Sequence, residues 1–398
     1  MAHRVCVITG TRAEYGLLRR LLFRFENNKD VDLVLIVTGS HLSKAFGDTQ
    51  QEIITDGRYD FIKIPIPMED DSKKGMANAT GVAICSFSEY FSNNKPELVV
   101  VLGDRYEILA VVIAARMIGI PVAHISGGDI TEGAIDNEIR HAITKMSQLH
   151  FPGCEESRNR IIQMGESPDT VFNVGELGVE NCLKTHLMSR EELVEQLSFD
   201  ELLGDYSLVT FHPVTMENDT GVEEVTELIH AMEAVSNMSY IITMANADAG
   251  GRAINEMWRQ AGKMHDNWLV VSSLGIHRYL SAMKYAKVII GNSSSGIFEA
   301  PSLGVPTVNI GDRQKGRMMA ESIISCAPEY SSILTAIKTA LSEPFRERFK
   351  DMVCPFGDGN TSGLIEEHIM EYLSRKEVDY RKTFYDLIGN EQKRFNSD

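Results

Sequence analysis

The stretch Leu98-Val99-Val100-Val101-Leu102-Gly103-Asp104-Arg105 decides the fold class of this chain of 398 residues. Five apolar residues follow one another without a polar interruption and end at a glycine and two charged residues. A strand that is apolar on both faces is typical of a parallel sheet covered by helices on both sides. We therefore predict a buried parallel strand here, with a helix over Ile108–Ile118 behind it.

The same pattern recurs along the whole chain, where short β-branched runs alternate with amphipathic stretches such as Gly16–Phe25 and Val222–Ala234. This alternation is the order expected of strand–helix units. Two sets of strands, each with its own first strand, predict two doubly wound α/β domains. The predicted strands are Val5–Ile8, Leu33–Val37, Leu98–Leu102, Pro121–Ile125 and Leu149–Phe151 in the first set, and Ser207–Phe211, Tyr240–Met244, Trp268–Ser272, Val288–Ile290 and Thr307–Ile310 in the second.

Gly175 and Gly178 interrupt the alternation after the first set of strands, and we place the domain boundary there. The predicted first domain spans residues 1–175 and the second spans residues 176–361. Ser189 followed by Glu192 forms a capping box, which predicts the start of a new helix soon after the boundary. Residues 362–398 are predicted to contain a helix and a charged tail that docks on a neighbouring surface.

Composition and charge exclude several classes of protein. The chain is 43% hydrophobic and 24% charged, which is typical of a globular protein, and its apolar runs are far shorter than a membrane span. A formal net charge of −17 disfavours general attraction to nucleic acid or to an anionic membrane. An anionic ligand therefore needs a local cluster of donors.

The spacing of the cysteines and the nature of the N-terminal residues bear on disulfides, zinc sites and cellular location. The six cysteines are scattered without a CxxC pair, which disfavours a disulfide framework and a structural zinc site. The N-terminal residues lack the long apolar region of a signal peptide, so a cytoplasmic location is expected.

Ligands of parallel sheets bind beyond the carboxyl ends of the strands, so the polar residues at those ends are candidates. Arg12 lies in the turn Gly10–Gly16 and can hold a phosphate at a helix N-terminus, although a plain strand–helix turn explains the pattern equally well. Asp104 is suited to acid–base chemistry, and a structural Asp–Arg pair or a helix cap is the alternative.

The densest group of ionisable side chains lies on the glycine-rich loop and helix between residues 124 and 141. Asp136 in this group can simply cap the helix. The concentration of ionisable groups beside glycines nevertheless favours a functional site. The group consists of His124, Asp129, Glu132, Asp136, Glu138, Arg140 and His141.

In the second half, the run Gly291–Ala300 is the most specific signal, because small residues at a helix start offer amides and hydroxyls to a diphosphate. Glu299 follows about one helical turn later and can accept two hydrogen bonds from a ribose diol. The nearby run Gly311–Arg317 clusters positive charge. His212 follows a strand, where it can hydrogen-bond phosphate or serve the structure.

The sequence lacks the motifs of several other enzyme classes and cofactor-binding sites. The chain has no GxSxG elbow, no HExxH and no EF-hand loop, and its histidines and carboxylates show no metal-ligand spacing. It also lacks the GxGxxG fingerprint and the P-loop, which argues against NAD and ATP. No metal and no cofactor are expected.

Taken together, these motifs resemble the UDP-N-acetylglucosamine 2-epimerase family, and specifically its hydrolysing branch of the bacterial sialic-acid-pathway type. The resemblance implies two Rossmann-like domains that face each other across a cleft, as in glycosyltransferases of the B type, with the C-terminal helix and tail (362–398) packing back on the N-terminal domain. It is carried by Thr9–Gly16, Val37–Leu42, Gly103–Arg105, Ile135–Lys145, His212–Thr215, Asn246–Asp248 and Gly291–Arg317.

The resemblance also implies roles for single residues. Many relatives carry a catalytic glutamate where Ser126 stands here, and Asp129 or Glu132 is the expected replacement. The loop Gly39–Lys44 differs from the glutamine-rich loop of the non-hydrolysing branch, which favours hydrolysis. The expected catalytic residues are Asp104, Asp129, Asp136 and His212; the UDP-binding residues are Arg12, His212, Ser293, Ser294, Glu299 and Arg313; the substrate-binding residues are His41, Arg105, Glu132 and Arg140.

The implied reaction converts UDP-N-acetylglucosamine and water to N-acetylmannosamine and UDP, by elimination to a glycal followed by hydration, for sialic-acid or related nonulosonic-acid synthesis. The implied partners are a small-molecule UDP-sugar and further copies of the chain in a homodimer or homotetramer. The alternatives are the same reaction on UDP-2,4-diacetamido-2,4,6-trideoxyglucose in a legionaminic-acid pathway, a non-hydrolysing epimerase, a glycosyltransferase and a non-catalytic UDP-sugar sensor.

Overall fold

The structure is a computed structural model that describes residues 2–44, 47–70, 72–131, 135–213, 221–245, 251–375 and 381–387, apart from the side chain of Arg252. The chain divides into two compact units. The first comprises Met1–Ile130, Ala134–Glu180 and Asn360–Asp398, and the second comprises Thr131–Gly133 and Asn181–Gly359. The sequence places the corresponding boundaries at residues 175/176 and 361/362.

The first unit is built on a six-stranded sheet with the strand order β3-β2-β1-β4-β5-β6. All its strand pairs are parallel. Its strands are β1 (His3–Thr9), β2 (Val31–Val37), β3 (Phe61–Lys63), β4 (Leu98–Leu102), β5 (Val122–Ile125) and β6 (Leu149–Phe151).

The second unit repeats this topology in a six-stranded parallel sheet with the order β12-β11-β10-β7-β8-β9. Numbered within each unit, both sheets have the strand order of a doubly wound Rossmann sheet. The prediction of two doubly wound α/β domains is therefore confirmed. The strands are β7 (Tyr206–Thr210), β8 (Ser239–Thr243), β9 (Trp268–Val271), β10 (Ile289–Gly291), β11 (Thr307–Ile310) and β12 (Ile323–Cys326).

Helices connect the strands of both sheets, and in the described part of the chain none of them is both long and apolar enough to cross a membrane. The predicted capping box of Ser189 and Glu192 is present at the start of α8. The helices are α1 (Arg12–Asn27), α2 (Gln50–Asp56), α3 (Lys73–Asn93), α4 (Tyr106–Met117), α5 (Ile135–Met146), α6 (Glu155–Gln163), α7 (Leu177–Lys184), α8 (Arg190–Leu197), α9 (Val222–Glu233), α10 (Gly251–Met264), α11 (Gly275–Tyr285), α12 (Ser294–Ser302), α13 (Tyr330–Leu341), α14 (Glu343–Phe349) and α15 (Thr361–Leu373).

The valine-rich strand β4 is buried on both faces, as its sequence predicts. Val99 and Val101 belong to the hydrophobic cluster that includes α4, whereas Val100 belongs to the cluster that includes α1. Successive side chains of a strand point to opposite faces of the sheet, so both faces must be covered for every residue to be apolar. The strand can carry polar groups only beyond its ends.

The sequence analysis misses two strands, β3 and β12, which are the outer strands on one side of each sheet. The residues of both are half-buried or exposed. Edge strands are covered on fewer sides than central strands, so they need no continuous apolar run and give a weak sequence signal.

The C-terminal helix α15 packs on α1 inside the first unit, where Ile365 and Ile369 are fully buried in the cluster that holds α1. Three hydrogen bonds fix the start of α15. The Arg24 Nε donates to the Ser362 hydroxyl at 2.9 Å, and the carboxylate of Glu180 accepts from the backbone N–H and the hydroxyl of Ser362, each at 2.7 Å.

The described tail segment 381–387 also contacts the first unit. The Lys382 ammonium lies 2.7 Å from the carboxylate of Glu166, which also accepts from Lys145 at 2.6 Å. A C-terminal segment therefore completes the core that begins with β1 and α1.

We predict that Ile369→Ala lowers the free energy of unfolding of the protein by about 2–5 kcal/mol, because it leaves a cavity between α15 and α1. Glu367→Ala, at an exposed position of the same helix, is the control and should change this free energy by less than about 0.5 kcal/mol. Urea denaturation followed by circular dichroism measures both, and equal effects of the two variants would show that α15 is not part of the core.

Candidate functional site

In each sheet there is one pair of neighbouring strands after which the chain continues toward opposite edges of the sheet. This pair is β1 and β4 in the first unit and β7 and β10 in the second. Ligands of doubly wound sheets bind outside the carboxyl ends of the strands at such a switch point. Thr9 and Leu102 end β1 and β4, and Thr210 and Gly291 end β7 and β10. The predicted site residues that directly follow these strands therefore lie at the two switch points.

In the first unit, Arg140 connects the predicted carboxylates of the strand ends. Its side chain is almost fully buried and forms a close ion pair with Asp104. A second nitrogen of the same guanidinium donates to the backbone carbonyl of Asp129 at 2.9 Å. Arg140, which the sequence assigns to substrate binding, thus holds the Asp104 side chain and the loop after β5 in place.

Asp136 lies in the first turn of α5 and interacts electrostatically with Asp104. Partial desolvation and the negative charge of Asp104 raise the pKa of Asp136, although nearby arginines oppose the shift. Two neighbouring carboxyl groups with different environments are suited to act as base and acid in one reaction. Glu132, the other predicted carboxylate of this loop, lies outside the described residues.

The Asp129 carboxylate accepts a hydrogen bond from the Ser157 hydroxyl of α6 at 2.6 Å. This contact turns the side chain toward α6, while Arg140 holds its backbone. The structure therefore brings Asp104, Asp136 and Arg140 together and gives the Asp129 side chain a separate partner.

Two histidines at these strand ends are buried and fully hydrogen-bonded. His124 donates from Nε2 to the Gly103 carbonyl at 2.8 Å, so its Nδ1 accepts from the Thr144 hydroxyl at 3.1 Å. Burial lowers the pKa of His124 to about 3, and this ring is neutral. It braces the turn that carries Asp104.

His41 has a similar environment, with hydrogen bonds between its two ring nitrogens and the hydroxyls of Thr9 and Thr49 at 3.1 and 2.9 Å. Burial lowers the pKa of His41 to about 4. The side chain is fully buried, so as it stands the ring offers no polar atom to the sugar that the sequence assigns to it.

The predicted cations of this edge pair with acids. Arg12 lies 2.5 Å from the Glu52 carboxylate, with more than half of its side chain exposed. Arg105 donates to the fully buried Glu107 at 2.5 Å. Arg12 therefore remains accessible to an anionic ligand, whereas Arg105 neutralises an internal carboxylate.

Sequence reasoning misses Glu14 and Glu107, two carboxylates buried beneath the Gly10 turn. Glu14 accepts from the Gly10 backbone N–H at 2.7 Å, and a Cβ on Gly10 would lie only 3.2 Å from Glu107 Oε1. Burial and the charge of Glu107 raise the pKa of Glu14 to about 8. A glutamate in the first turn of the otherwise apolar helix α4 is the signal that could have identified Glu107.

In the second unit, Asn292 organises the switch point. Its side-chain amide exchanges two hydrogen bonds with the backbone of His212, at 2.7 and 2.8 Å. Its backbone carbonyl accepts from the Arg313 guanidinium at 3.0 Å and from the Gln314 side-chain amide at 2.8 Å. Asn292, which lies in the run Gly291–Ala300 and has no role predicted from the sequence, connects three parts of the predicted UDP site.

The serine-rich turn opens helix α12. Ser293 is the N-cap, and its hydroxyl accepts from the Ser295 backbone N–H. The Tyr279 hydroxyl lies 2.5 Å from the Ser295 hydroxyl and connects α11 to this turn. At Gly291, which has a φ of 132°, a Cβ would lie 2.0 Å from the Thr210 carbonyl oxygen, so only glycine fits between β10 and β7.

Glu299 lies in α12 one turn beyond these serines. Its Oε2 is buried and has no hydrogen-bond partner among the residues that the structure describes. Burial raises the pKa of Glu299 to about 7, and the charge of Arg317 acts in the opposite direction. A buried carboxylate oxygen without a donor is the group expected to accept from a ligand hydroxyl.

The Arg317 guanidinium stacks over the Phe298 ring at 5.0 Å and donates to Gln314 at 2.8 Å. Positive charge, a helix N-terminus and an acceptor for hydroxyls are thus combined at one edge of the second sheet. Within the described ranges, no group of three or more histidine, cysteine, aspartate or glutamate side chains is arranged to hold a metal ion.

Comparison with known proteins gives relatives over almost the whole chain. The polysialic acid biosynthesis protein P7 of Escherichia coli is 39% identical over 386 residues, which are 96% of this chain and 97% of that protein. The hydrolysing GDP/UDP-N,N'-diacetylbacillosamine 2-epimerase of Campylobacter jejuni is 39% identical over 345 residues, which are 86% of this chain and 89% of that protein.

A solved structure has the same fold. The UDP-GlcNAc 2-epimerase of Neisseria meningitidis, determined with UDP-GlcNAc bound, matches with a TM-score of 0.78 at 19% identity and covers 92% of this chain and 100% of its own. The sequence model of one family, UDP-N-acetylglucosamine 2-epimerase, matches residues 24–370. That match spans most of the chain, and the E. coli and C. jejuni relatives are each 39% identical to it over most of its length. The protein therefore belongs to the UDP-N-acetylglucosamine 2-epimerase family.

Proposed function

We propose that the protein converts UDP-N-acetylglucosamine and water to N-acetylmannosamine and UDP. The observation that supports this most is that the two switch points carry different sets of polar side chains. The second unit offers hydrogen-bond donors to a diphosphate and a buried carboxylate to a ribose. The first unit has two neighbouring carboxyl groups, Asp104 and Asp136, to which we assign proton transfer.

In this proposal, the N-terminus of α12, the hydroxyls of Ser293 and Ser294, His212 and Arg313 bind the diphosphate of UDP. Amides at a helix N-terminus and a guanidinium favour negative charge, and they favour it most when UDP departs. Glu299 accepts two hydrogen bonds from the ribose diol. Arg12 of the first unit is a further donor to the diphosphate.

Departure of UDP from C1 makes removal of the C2 proton feasible. As the C1–O bond breaks, positive charge develops at C1 and the adjacent C2–H bond becomes acidic. Asp104, whose negative charge is stabilised by Arg140, takes the C2 proton. The products of this first half are UDP and a glycal with a C1=C2 double bond.

The second half hydrates the glycal. Asp136, whose pKa is raised, gives a proton to C2 from the opposite face, and water adds at C1. Inversion at C2 follows because the two carboxyl groups act on opposite faces of the sugar. The free sugar leaves with the manno configuration.

The name of the Campylobacter jejuni relative favours a second candidate substrate, UDP-2,4-diacetamido-2,4,6-trideoxyglucose, in the same reaction. The two substrates differ at C4 and C6 of the sugar, so the chemistry at C1 and C2 is the same for both. Rates with each UDP-sugar, measured in parallel, distinguish the candidates.

The proposal also includes the location, the oligomeric state and the pathway of the enzyme. We place the enzyme in the cytoplasm as a homodimer or homotetramer, in sialic-acid or related nonulosonic-acid synthesis. These assignments rest on the family resemblance and on the name of the E. coli relative, the polysialic acid biosynthesis protein P7.

We predict that lowering the pH weakens UDP binding more in the wild type than in the Glu299→Gln variant. The ribose diol binds the ionised carboxylate, and with a pKa of about 7 this carboxylate must first lose a proton at lower pH. Between about pH 8 and pH 6 the Kd should therefore rise about tenfold more in the wild type. Calorimetric titration of UDP measures this, and parallel pH profiles of the two proteins would contradict the role of Glu299.

Asp104→Asn and Asp136→Asn should each lower kcat by about 10²–10⁴-fold, because each removes one acid–base group. UDP affinity should stay close to that of the wild type in both variants. The melting temperature should stay unchanged in Asp136→Asn and fall in Asp104→Asn, because the latter removes the carboxylate that pairs with the buried Arg140. Glu138→Gln, at an exposed position of the same helix as Asp136, is the control and should keep full activity. A loss of melting temperature in Asp136→Asn that parallels its loss of activity would instead indicate a structural role for this carboxylate.

The reaction in heavy-oxygen, deuterated water tests the mechanism without a mutant. Since C1–O cleavage precedes addition of water, the oxygen label should enter sugar C1, deuterium should enter C2, and UDP should remain unlabelled. Mass spectrometry and proton NMR identify the products. Labelled UDP with the C2 hydrogen retained, or a UDP-linked manno sugar, would each overturn the proposed reaction.

A further inference from the structure

Ser126, the residue after β5, has an unusual backbone conformation. Its φ of 58° lies in the left-handed region, which residues other than glycine rarely adopt. The conformation directs its hydroxyl to the carboxylate of Glu176, to which it donates at 3.1 Å across fifty positions of the chain. Backbone strain of this kind persists where other contacts enforce it, and it concentrates at functional sites.

The neighbouring strand end is also shaped around Glu176. A Cβ on Gly153, which follows β6, would lie 1.8 Å from Glu176 Oε1 and 2.4 Å from its carboxyl carbon. Such distances are impossible between real atoms, so any other residue at position 153 would displace the carboxylate. A strained serine that donates to the carboxylate and a glycine that leaves room for it thus place Glu176 between two strand ends.

This position is on the same edge of the sheet as Asp104. The backbone N–H of Gly103 donates to Ile125 of β5, and that of Ser126 donates to Phe151 of β6. The residues just beyond β4, β5 and β6 therefore lie side by side, and neighbouring strands are about 4.8 Å apart. The carboxylate held by Ser126 is anchored one strand away from the turn that carries Asp104.

Glu176 also belongs to the charged cluster of the loop after β5. Burial raises the pKa of Cys154, and the charges of Asp129 and Glu176 raise it further, against its hydrogen bonds with Ser157. Both carboxylates therefore lie near this thiol. Asp129 is turned to α6 by Ser157, whereas Glu176 is turned to the strand end by Ser126.

We propose that Glu176 is a third catalytic carboxylate, positioned by Ser126, and that it accepts the proton of the water that adds at C1. This inference rests on the proposed function, in which Asp104 and Asp136 handle the C2 proton and no group has yet been assigned to the water. The water oxygen bonds to C1 and one of its protons passes to Glu176. The electrons of the C1=C2 double bond take the proton from Asp136 at C2, and Glu176 later returns its proton to solvent.

The test separates the two halves of the reaction in the full-length Glu176→Gln variant. With UDP-N-acetylglucosamine as the substrate, UDP, free N-acetylmannosamine and glycal are quantified over time by NMR. Elimination should continue within about tenfold of the wild-type rate, and hydration should slow by at least about 100-fold, so that glycal accumulates. Free sugar that matches UDP in a 1:1 ratio at all times would overturn the proposal.

Two further variants make the test independent of folding defects. Ser126→Ala keeps the carboxylate but removes its hydrogen bond, so it should shift the ratio of glycal to free sugar in the same direction by a smaller factor. An unchanged ratio in Ser126→Ala overturns the positioning role even if Glu176→Gln does not fold. Glu155→Gln, an exposed carboxylate on α6 that pairs with Arg158, is the control and should keep the wild-type ratio.

The same assay distinguishes a failure of this inference from a failure of the proposed function. If the wild-type enzyme forms only a UDP-linked sugar and releases no UDP, the proposed hydrolysis is wrong. If the wild type releases UDP and free sugar and the Glu176→Gln variant keeps their 1:1 ratio, only the assignment of Glu176 is wrong.

Discussion

The burial of parallel strands on both faces is the constraint on which the rest of this structure depends. Side chains within β4 are all apolar because helices cover the sheet on both sides. Charged and polar groups can therefore concentrate only beyond the carboxyl ends of the strands, and the topology opens a crevice where the chain reverses its winding direction. Both units obey this rule, since both sheets have the same strand order.

The two switch points differ in the polar groups that they carry. In the second unit, Asn292 connects the chain after β7 with the basic segment after β11. Its side-chain amide bonds to the backbone of His212, and its backbone carbonyl accepts from Arg313. An acidic protein can hold an anion at such a place because backbone amides and a guanidinium act locally, where a net charge of −17 spread over the whole chain has little effect. Glu299 adds an acceptor that a ribose diol can satisfy.

The first unit instead places two carboxyl groups in different electrostatic environments. Arg140 stabilises the negative charge of Asp104, whose charge then raises the pKa of Asp136. His124 stays neutral because it is buried, so it supports the Asp104 turn without adding charge. The surroundings of these carboxyl groups thus arise from packing, through one buried guanidinium and one buried imidazole.

The sequence by itself determined the alternation of central strands and helices and the composition of the strand ends, because continuous burial demands continuous apolar runs. It therefore located Asp104, Asp136, Ser293 and Glu299 beside strand or helix ends. The edge strands β3 and β12 escaped prediction because a partly exposed strand needs no such run.

Only the tertiary structure decided which polar groups meet. The contact of Ser126 with Glu176 joins residues fifty positions apart, and the contact of Asn292 with His212 joins residues eighty positions apart. The burial of both ring nitrogens of His41 likewise depends on neighbours from β1 and from the segment before α2. Hydrogen-bond partners and pKa shifts depend on distances between side chains, and these distances exist only once the strands have been placed side by side.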